Sequence, residues 1–201
     1  MCLNKICSLN LQKKIKHCTQ GSSKDVFICN DLVIKIPKHS YNLTEIKLQK
    51  DNSRYLQHLI GINQILTEID VWHKEQELGI LCPIQSINIE NNIPIISCNK
   101  IIPANIFLNT ENFELEYFCK KIHYPQIKTK DLFEKILYLV EKYHLDYEDL
   151  TENENNFGYD VENDEILILD YGYKSNMNYN NTNELIKNNI SLLKKYNNKE
   201  L

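Results

Sequence analysis

Several polar residues in this sequence stand beside short apolar runs or tight turns, where the backbone would hold a reactive side chain in place. They are the turn Gly21-Ser22-Ser23, Lys35 after Val33-Ile34, Glu68 in a helical stretch, Asn156 in Asn155-Asn156-Phe157-Gly158, and Asp170 before Tyr171-Gly172. Ammonium groups bind anions, carboxylates can take up protons, and both carboxylate and amide oxygens bind cations. Taken singly, each feature is also typical of a surface lysine, a solvated glutamate or an ordinary turn.

The order and spacing of these features narrow the interpretation. The glycine turn precedes the strand lysine by fourteen residues, and Glu68 lies in the helical region inserted in the β-rich first half. Asn156 precedes Asp170 by fourteen residues, with a turn and an apolar strand between them. This arrangement resembles the protein kinase and aminoglycoside-phosphotransferase superfamily, in which a glycine-rich loop, strand lysine, helix glutamate, catalytic loop and Asp-Phe-Gly motif follow in this order.

Within that superfamily, the chain looks most like short kinase-like proteins encoded by phages. The resemblance covers roughly residues 18–175 and is specific in NNFGYD…ILILDYG, whereas the glycine loop has one glycine instead of three. It implies an α+β, two-lobed, protein-kinase-like fold. Residues 1–100 would form an N-lobe of β-sheet with a helical insertion, and residues 101–201 a reduced helical C-lobe. Only 29 residues follow Gly172, so the peptide-binding segment of eukaryotic-type kinases is expected to be missing.

The resemblance implies ATP and Mg²⁺ as cofactors and gives the matched residues their roles. Lys35 would contact the nucleotide phosphates, and Glu68 would hold this lysine through an ion pair. Asn156 and Asp170 would bind the metal with their side-chain oxygens.

Two further segments would surround the nucleotide. Backbone N–H groups of Gly21, Ser22 and Ser23 would cover the phosphates. The strand leading to Cys98 and Lys100 would form a hinge whose backbone meets the adenine.

The catalytic base is the position at which the match to the family is weakest. In the family, an aspartate lies five residues before the metal-binding asparagine, and here that position is Thr151. Asp149 lies seven residues before Asn156, and Asp149-Leu150 resembles the family's Asp-Leu. We therefore predict Asp149 as the base. Asp146, in His144-Leu145-Asp146, lies ten residues before Asn156.

Three functions follow as hypotheses. The first is phosphoryl transfer from ATP to the hydroxyl of an unidentified protein or small molecule. The second is a pseudokinase that binds nucleotide or a protein partner with little turnover, which applies if Thr151 occupies the position of the base. The third is an interaction protein that binds no nucleotide.

Two other groups of residues carry weaker signals. Cys119 and His123 stand four residues apart and suggest a thiol–imidazole pair, but an acid partner and an oxyanion site cannot be identified. The acidic cluster Glu148–Glu154 lacks the spacing and the glycine of a calcium loop, so it is interpreted as part of a polar loop.

The elements that must position these residues follow from the hydrophobic pattern. Alternation predicts strands on both sides of Asn30-Asp31 and of Glu90-Asn91-Asn92. Spacings of three and four predict helices over residues 41–78, with a break at Gly61, and over residues 131–143 and 183–196. Asp131 is the expected N-cap of the middle helix. A polar loop over residues 147–165 then leads to a buried strand that ends at Asp170.

Composition excludes several classes of protein. The 201 residues are 42% hydrophobic with a net charge of −4, which is typical of a globular domain and unlike a nucleic-acid-binding protein. Arg54 is the only arginine, so phosphate charge must be met mainly by lysine, metal or backbone. The seven scattered cysteines predict free thiols in a reducing cytoplasm, which is the host's if a phage encodes the chain. No segment predicts a membrane span or a signal peptide.

Overall fold

The computed structural model describes residues 15–17, 22–108 and 113–198, and it confirms the α+β class. The chain forms two compact units. The first contains the described residues of Met1–Ile69, Ile84–Lys100 and Asn178–Leu201, and the second those of Asp70–Pro83 and Ile101–Met177. This division differs from a single boundary near residue 100, because residues 70–83 belong to the second unit and residues 178–201 to the first.

Six α-helices and eight strands lie within the described residues. The helices are α1 (Leu43–Leu48), α2 (Asn52–Glu75), α3 (Leu115–Lys121), α4 (Gln126–Tyr143), α5 (Tyr147–Glu152) and α6 (Thr182–Asn197). The strands are β1 (Ile15–His17), β2 (Lys24–Cys29), β3 (Leu32–Pro37), β4 (Ile84–Glu90), β5 (Ile93–Asn99), β6 (Ile102–Pro103), β7 (Phe157–Asp160) and β8 (Glu165–Ile168). None of these helices combines the length and apolar character that a membrane span requires.

The first unit contains an antiparallel sheet with the strand order β1-β2-β3-β5-β4. Both predicted hairpins are present. Asn30 and Asn91-Asn92 occupy the turns with positive φ, a conformation that asparagine tolerates better than most residues. Alternating apolar residues therefore indicated the strands correctly, and the turn residues indicated where the chain reverses.

The two faces of this sheet differ in chemistry. One face carries the apolar cluster of Cys29, Ile34, Ile36 and Ile95. Because side chains alternate along a strand, Lys35 between Ile34 and Ile36 projects from the other face. Helix α2 contacts that second face, where Lys35 meets Glu68.

Helix α2 is continuous through Gly61, so the predicted break at this glycine is wrong. The chain breaks instead between α1 and α2, near Lys50, which has a positive φ. The absence of a side chain at Gly61 lets the backbone of α2 lie close to the backbone of Ser23 and Pro37. A Cβ at this position would overlap the carbonyl oxygen of Ser23 and lie 3.0 Å from the Cα of Pro37.

Replacing Gly61 with alanine should therefore destabilise the protein by about 1–3 kcal/mol, the usual cost of overpacking. In an open helical position the same change would stabilise the protein by roughly 0.5–1 kcal/mol. Urea unfolding of Gly61→Ala, with Ser53→Ala in the exposed first turn of α2 as the control, measures the difference. An increase in the free energy of unfolding of Gly61→Ala would contradict the close approach.

The C-terminal helix α6 packs on α2 within the first unit through buried amides. The amide nitrogen of Asn63 donates to the side-chain oxygen of Asn189 at 2.9 Å, and the amide nitrogen of Asn189 donates to the carbonyl of Leu59 at 3.0 Å. Hydrogen bonds between buried amides and a facing helix fix the register of two helices. This packing explains why the last helix belongs to the same unit as the sheet.

The second unit is built around a three-stranded sheet of order β6-β7-β8. Strand β8 also bonds to residues 80–82, since Ile168 donates to Ile80 and Cys82 donates to Ile168. Helices α3 and α4 pack around an apolar core that includes Phe118, Leu132, Ile136, Leu139 and Phe157.

Two predictions in the second unit need correction. Helix α4 begins at Gln126 after Pro125, five residues before the predicted cap at Asp131. The stretch over residues 147–165 is not a loop, because its first six residues form α5 and later ones form β7. Asp146 caps α5 by accepting a hydrogen bond from the backbone of Asp149, which lets a short polar segment form a helix.

Glu75 lies in the last part of α2, which belongs to the second unit, and contacts α4 of the same unit. One of its carboxylate oxygens accepts hydrogen bonds from Tyr138, Lys142 and Tyr143. Burial disfavours the charged carboxylate, but the hydrogen bonds from Lys142 and Tyr143 outweigh it and keep the pKa of Glu75 below its ordinary value. Hydrogen bonds from three side chains to one carboxylate explain how a buried glutamate is tolerated.

Candidate functional site

The first unit contains the ion pair predicted between strand lysine and helix glutamate. The ammonium of Lys35 on β3 lies 2.5 Å from Oε2 of Glu68 on α2. The Glu68 side chain is fully buried and the Lys35 side chain is 8% exposed. The predicted ion pair is therefore present, and the role of Glu68 in positioning Lys35 for phosphate stays a prediction.

A second lysine, which sequence reasoning missed, binds the same carboxylate. The ammonium of Lys24 on β2 lies 2.8 Å from Oε1 of Glu68. The signal that could have revealed Lys24 is the register of the β2–β3 hairpin, since Lys24 pairs with Pro37 and Val26 pairs with Lys35. Residues at these diagonal positions share one face of the sheet.

The predicted phosphate-covering turn is described only in part. Gly21 lies outside the described residues, and Ser22 is exposed. Ser23 is buried, and its hydroxyl donates to the side chain of Gln64 on α2 at 2.6 Å. The serine side chain therefore anchors the start of β2, and the role of the backbone N–H groups stays a prediction.

The predicted hinge residues lie at the end of β5. Cys98 is buried in the sheet, where its neighbours are Val33 on β3 and Ile84 on β4. The backbone N–H of Lys100 donates to the carbonyl of Asp31 at 2.9 Å. The adenine-binding role of Cys98 and Lys100 stays a prediction.

In the second unit, the carboxylate of Asp149 lies beside Asn156. The Asn156 amide nitrogen donates to Oδ2 of Asp149 at 3.0 Å and to its carbonyl oxygen at 2.8 Å. Thr151 is arranged differently, since its hydroxyl donates to the carbonyl of Tyr147 within α5. Of the two candidate positions for the base, Asp149 is therefore the one whose side chain contacts Asn156.

Helix α5 explains how the longer spacing is accommodated. Asp149 is seven residues from Asn156, two more than in the family pattern. A helix rises only about 1.5 Å per residue, compared with about 3.3 Å in a strand, so a helical turn brings the two residues back together. Backbone contacts fix the start of this segment, because Leu145 bridges Lys174 and Asp146 donates to the carbonyl of Tyr173.

Asn156 directly precedes β7, and Asp170 lies two residues after the end of β8. Phe157 pairs with Ile168, and the next backbone contact is Leu169 donating to the carbonyl of Asn156 at 2.7 Å. Asp170 follows directly and is half-buried. The antiparallel pair thus brings Asp170 close in space to Asn156, although fourteen residues separate them in sequence.

The hydrogen bonds of Asn156 show which of its side-chain atoms could bind a metal ion. Its amide nitrogen is used by Asp149, so its amide oxygen faces away from that carboxylate. An oxygen fixed in this way is the kind of ligand that Mg²⁺ prefers. Within the described ranges, no cluster of three or more His, Cys, Asp or Glu side chains is arranged to hold a metal alone. The oxygens of Asn156 and Asp170 would be two ligands of Mg²⁺, and its other ligands would come from phosphate and water.

The thiol of Cys119 does not support nucleophilic chemistry. It is buried in the core of the second unit, and burial raises its pKa to about 11. A thiol with this pKa remains protonated near neutral pH and is a poor nucleophile. The other cysteines within the described residues, Cys29, Cys82 and Cys98, are also buried and are not in disulfides.

No protein-family model and no curated protein matches the sequence. The chain is similar to a crystal structure of WbdD, with 14% identity, coverage of 79% of this chain and 32% of that chain, and a TM-score of 0.42. It is also similar to a co-crystal structure of WbdD with the kinase inhibitor LY294002, with 14% identity, coverage of 75% and 31%, and a TM-score of 0.37. The chain spans about a third of the length of these solved chains.

Proposed function

We propose that this chain is a kinase-like phosphotransferase that uses ATP and Mg²⁺ to phosphorylate a hydroxyl group of a protein or small molecule. The observation that carries the proposal is the contact between the Asp149 carboxylate and the Asn156 amide, next to the strand end that leads to Asp170. Base, amide ligand and carboxylate ligand are the three groups that a kinase-type catalytic centre takes from this part of its chain.

Each residue has a defined task in this proposal. Asp149 accepts the proton of the attacking hydroxyl, and the amide of Asn156 holds its carboxylate in place. The oxygens of Asn156 and Asp170 bind Mg²⁺, which supplies positive charge to the phosphates when it is bound. Lys35 neutralises phosphate charge, and Glu68 keeps its ammonium in position.

Binding of ATP with Mg²⁺ should raise the unfolding temperature of the protein. A ligand at 100 times its dissociation constant stabilises a folded protein by about 2.7 kcal/mol, or a shift of roughly 5–10 °C for a chain of this size. Asp170→Ala should lose the Mg²⁺-dependent part of this shift while its own unfolding temperature changes little. Glu162→Gln, an exposed position between β7 and β8, is the control.

The outcomes separate the three functions. A wild-type shift together with transfer of labelled γ-phosphate supports the phosphotransferase. A shift without transfer or hydrolysis supports a pseudokinase. The absence of any shift with ATP and Mg²⁺ would overturn nucleotide binding and favour an interaction protein.

A further inference from the structure

Strand pairing brings two lysines to the same face of the sheet in the first unit. Lys24 begins β2 and pairs with Pro37, while Lys35 on β3 pairs with Val26. The two lysines are therefore diagonal neighbours, within reach of one another for long side chains. Both are buried, although lysine is among the residues that are least often buried.

One carboxylate holds both ammonium groups. Lys24 contacts Oε1 of Glu68 at 2.8 Å and Lys35 contacts Oε2 at 2.5 Å, so each lysine has its own oxygen. The Lys24 side chain is 5% exposed and the Lys35 side chain 8% exposed. Glu68 thus fixes the separation of two positive groups, as the planar core of a guanidinium fixes its own donors.

Stability alone does not account for this arrangement. Buried ion pairs and triads are often no more stable than apolar side chains of similar volume, because desolvation offsets the attraction. Ordering a lysine also costs side-chain entropy. A second buried lysine on the same glutamate is better explained by binding of an anion with several negative oxygens.

With a single arginine in the sequence, positive side chains that bind phosphate must mainly be lysines. Arg54, the only arginine of the chain, is exposed at the start of α2, and its Nε lies 3.3 Å from Asp51. Its side chain pairs with Asp51 at the surface. The two lysines instead converge on Glu68, the residue that the proposed function assigns to positioning Lys35 for phosphate. Two ammonium donors at a fixed separation suit adjacent phosphoryl groups of a nucleoside diphosphate or triphosphate.

We propose that Lys24 is a second phosphate-binding residue, which shares Glu68 with Lys35 and selects nucleotides that carry at least two phosphates. This inference rests on the proposed function and adds a residue to it. Lys24 contributes to the affinity for ADP and ATP and leaves the affinity for adenosine unchanged.

The test compares the affinities of Lys24→Met, Lys35→Met and wild type for ATP, ADP and adenosine, measured by calorimetry. Lys24→Met keeps the Lys35–Glu68 pair, so it should fold, and circular dichroism checks this. Loss of one charge-assisted hydrogen bond should weaken ATP and ADP binding about tenfold or more, with no change for adenosine. Lys47→Met, at an exposed lysine of α1, is the matched control.

The outcomes distinguish a failure of the proposed function from a failure of the inference about Lys24. If wild type does not bind ATP, the proposed function is wrong. If wild type binds ATP and Lys24→Met binds it equally well, then Lys24 is structural and only this inference is wrong. Lys24→Gln repeats the comparison with a polar side chain. If Lys24→Met and Lys24→Gln both unfold while Lys35→Met folds, then Lys24 is needed for the fold, and this result also overturns the inference.

Discussion

Replacing Asp149 with asparagine is expected to reduce phosphoryl transfer by about 10²–10⁴-fold, the usual contribution of a general base. Asparagine has the same shape as aspartate and can still accept the hydrogen bond that Asn156 donates to Oδ2. It cannot accept a proton from the attacking hydroxyl at neutral pH. The affinity for ATP should therefore change little while turnover falls.

The matched variant is Thr151→Val, since Thr151 occupies the position where the family pattern places the base. Its hydroxyl donates to the carbonyl of Tyr147 within α5, so its loss should leave transfer near the wild-type rate. Transfer of labelled γ-phosphate by both variants, with ATP affinity measured in parallel, makes the comparison. Full activity of Asp149→Asn would show that Asp149 is not the base.

The sequence predicted those features that depend on neighbouring residues. Both hairpins followed from alternating apolar residues and from asparagine in the turns, and these turns are present at Asn30-Asp31 and Asn91-Asn92. The hairpin signals need no knowledge of how distant segments pack. The ion pair of Lys35 and Glu68, which lie 33 residues apart, is also present, but it was expected from the resemblance of the motif order to a family.

The features that the sequence did not predict depend on contacts between distant segments. Gly61 was interpreted as a helix break, because its sequence neighbours do not reveal the carbonyl of Ser23 against which it packs. Lys24 was overlooked because its contact with Glu68, 44 residues away, is not part of the motif order that the chain shares with the family. Helix α5 was interpreted as a loop because its polar residues form a helix only with the cap at Asp146 and the backbone contacts of residues 145 and 146.

The other large effect is expected at Glu68. Glu68→Ala removes the carboxylate that both Lys24 and Lys35 contact, and breaking a buried ion pair costs about 3–5 kcal/mol. For a chain of this size the unfolding temperature should fall by at least about 6 °C. Glu77→Ala, at an exposed glutamate just after α2, should change it little. Similar unfolding temperatures for the two variants would contradict the buried pair.

A triple variant, Lys24→Met with Lys35→Met and Glu68→Leu, separates stability from function. Apolar side chains of similar volume often replace a buried ionic cluster without loss of stability, so the triple variant should unfold well above Glu68→Ala. It should nevertheless lose the stabilisation by ATP and Mg²⁺, because no ammonium remains at this position to meet phosphate. A triple variant that is as stable as wild type and still binds ATP with wild-type affinity would show that the two lysines and Glu68 serve the fold alone.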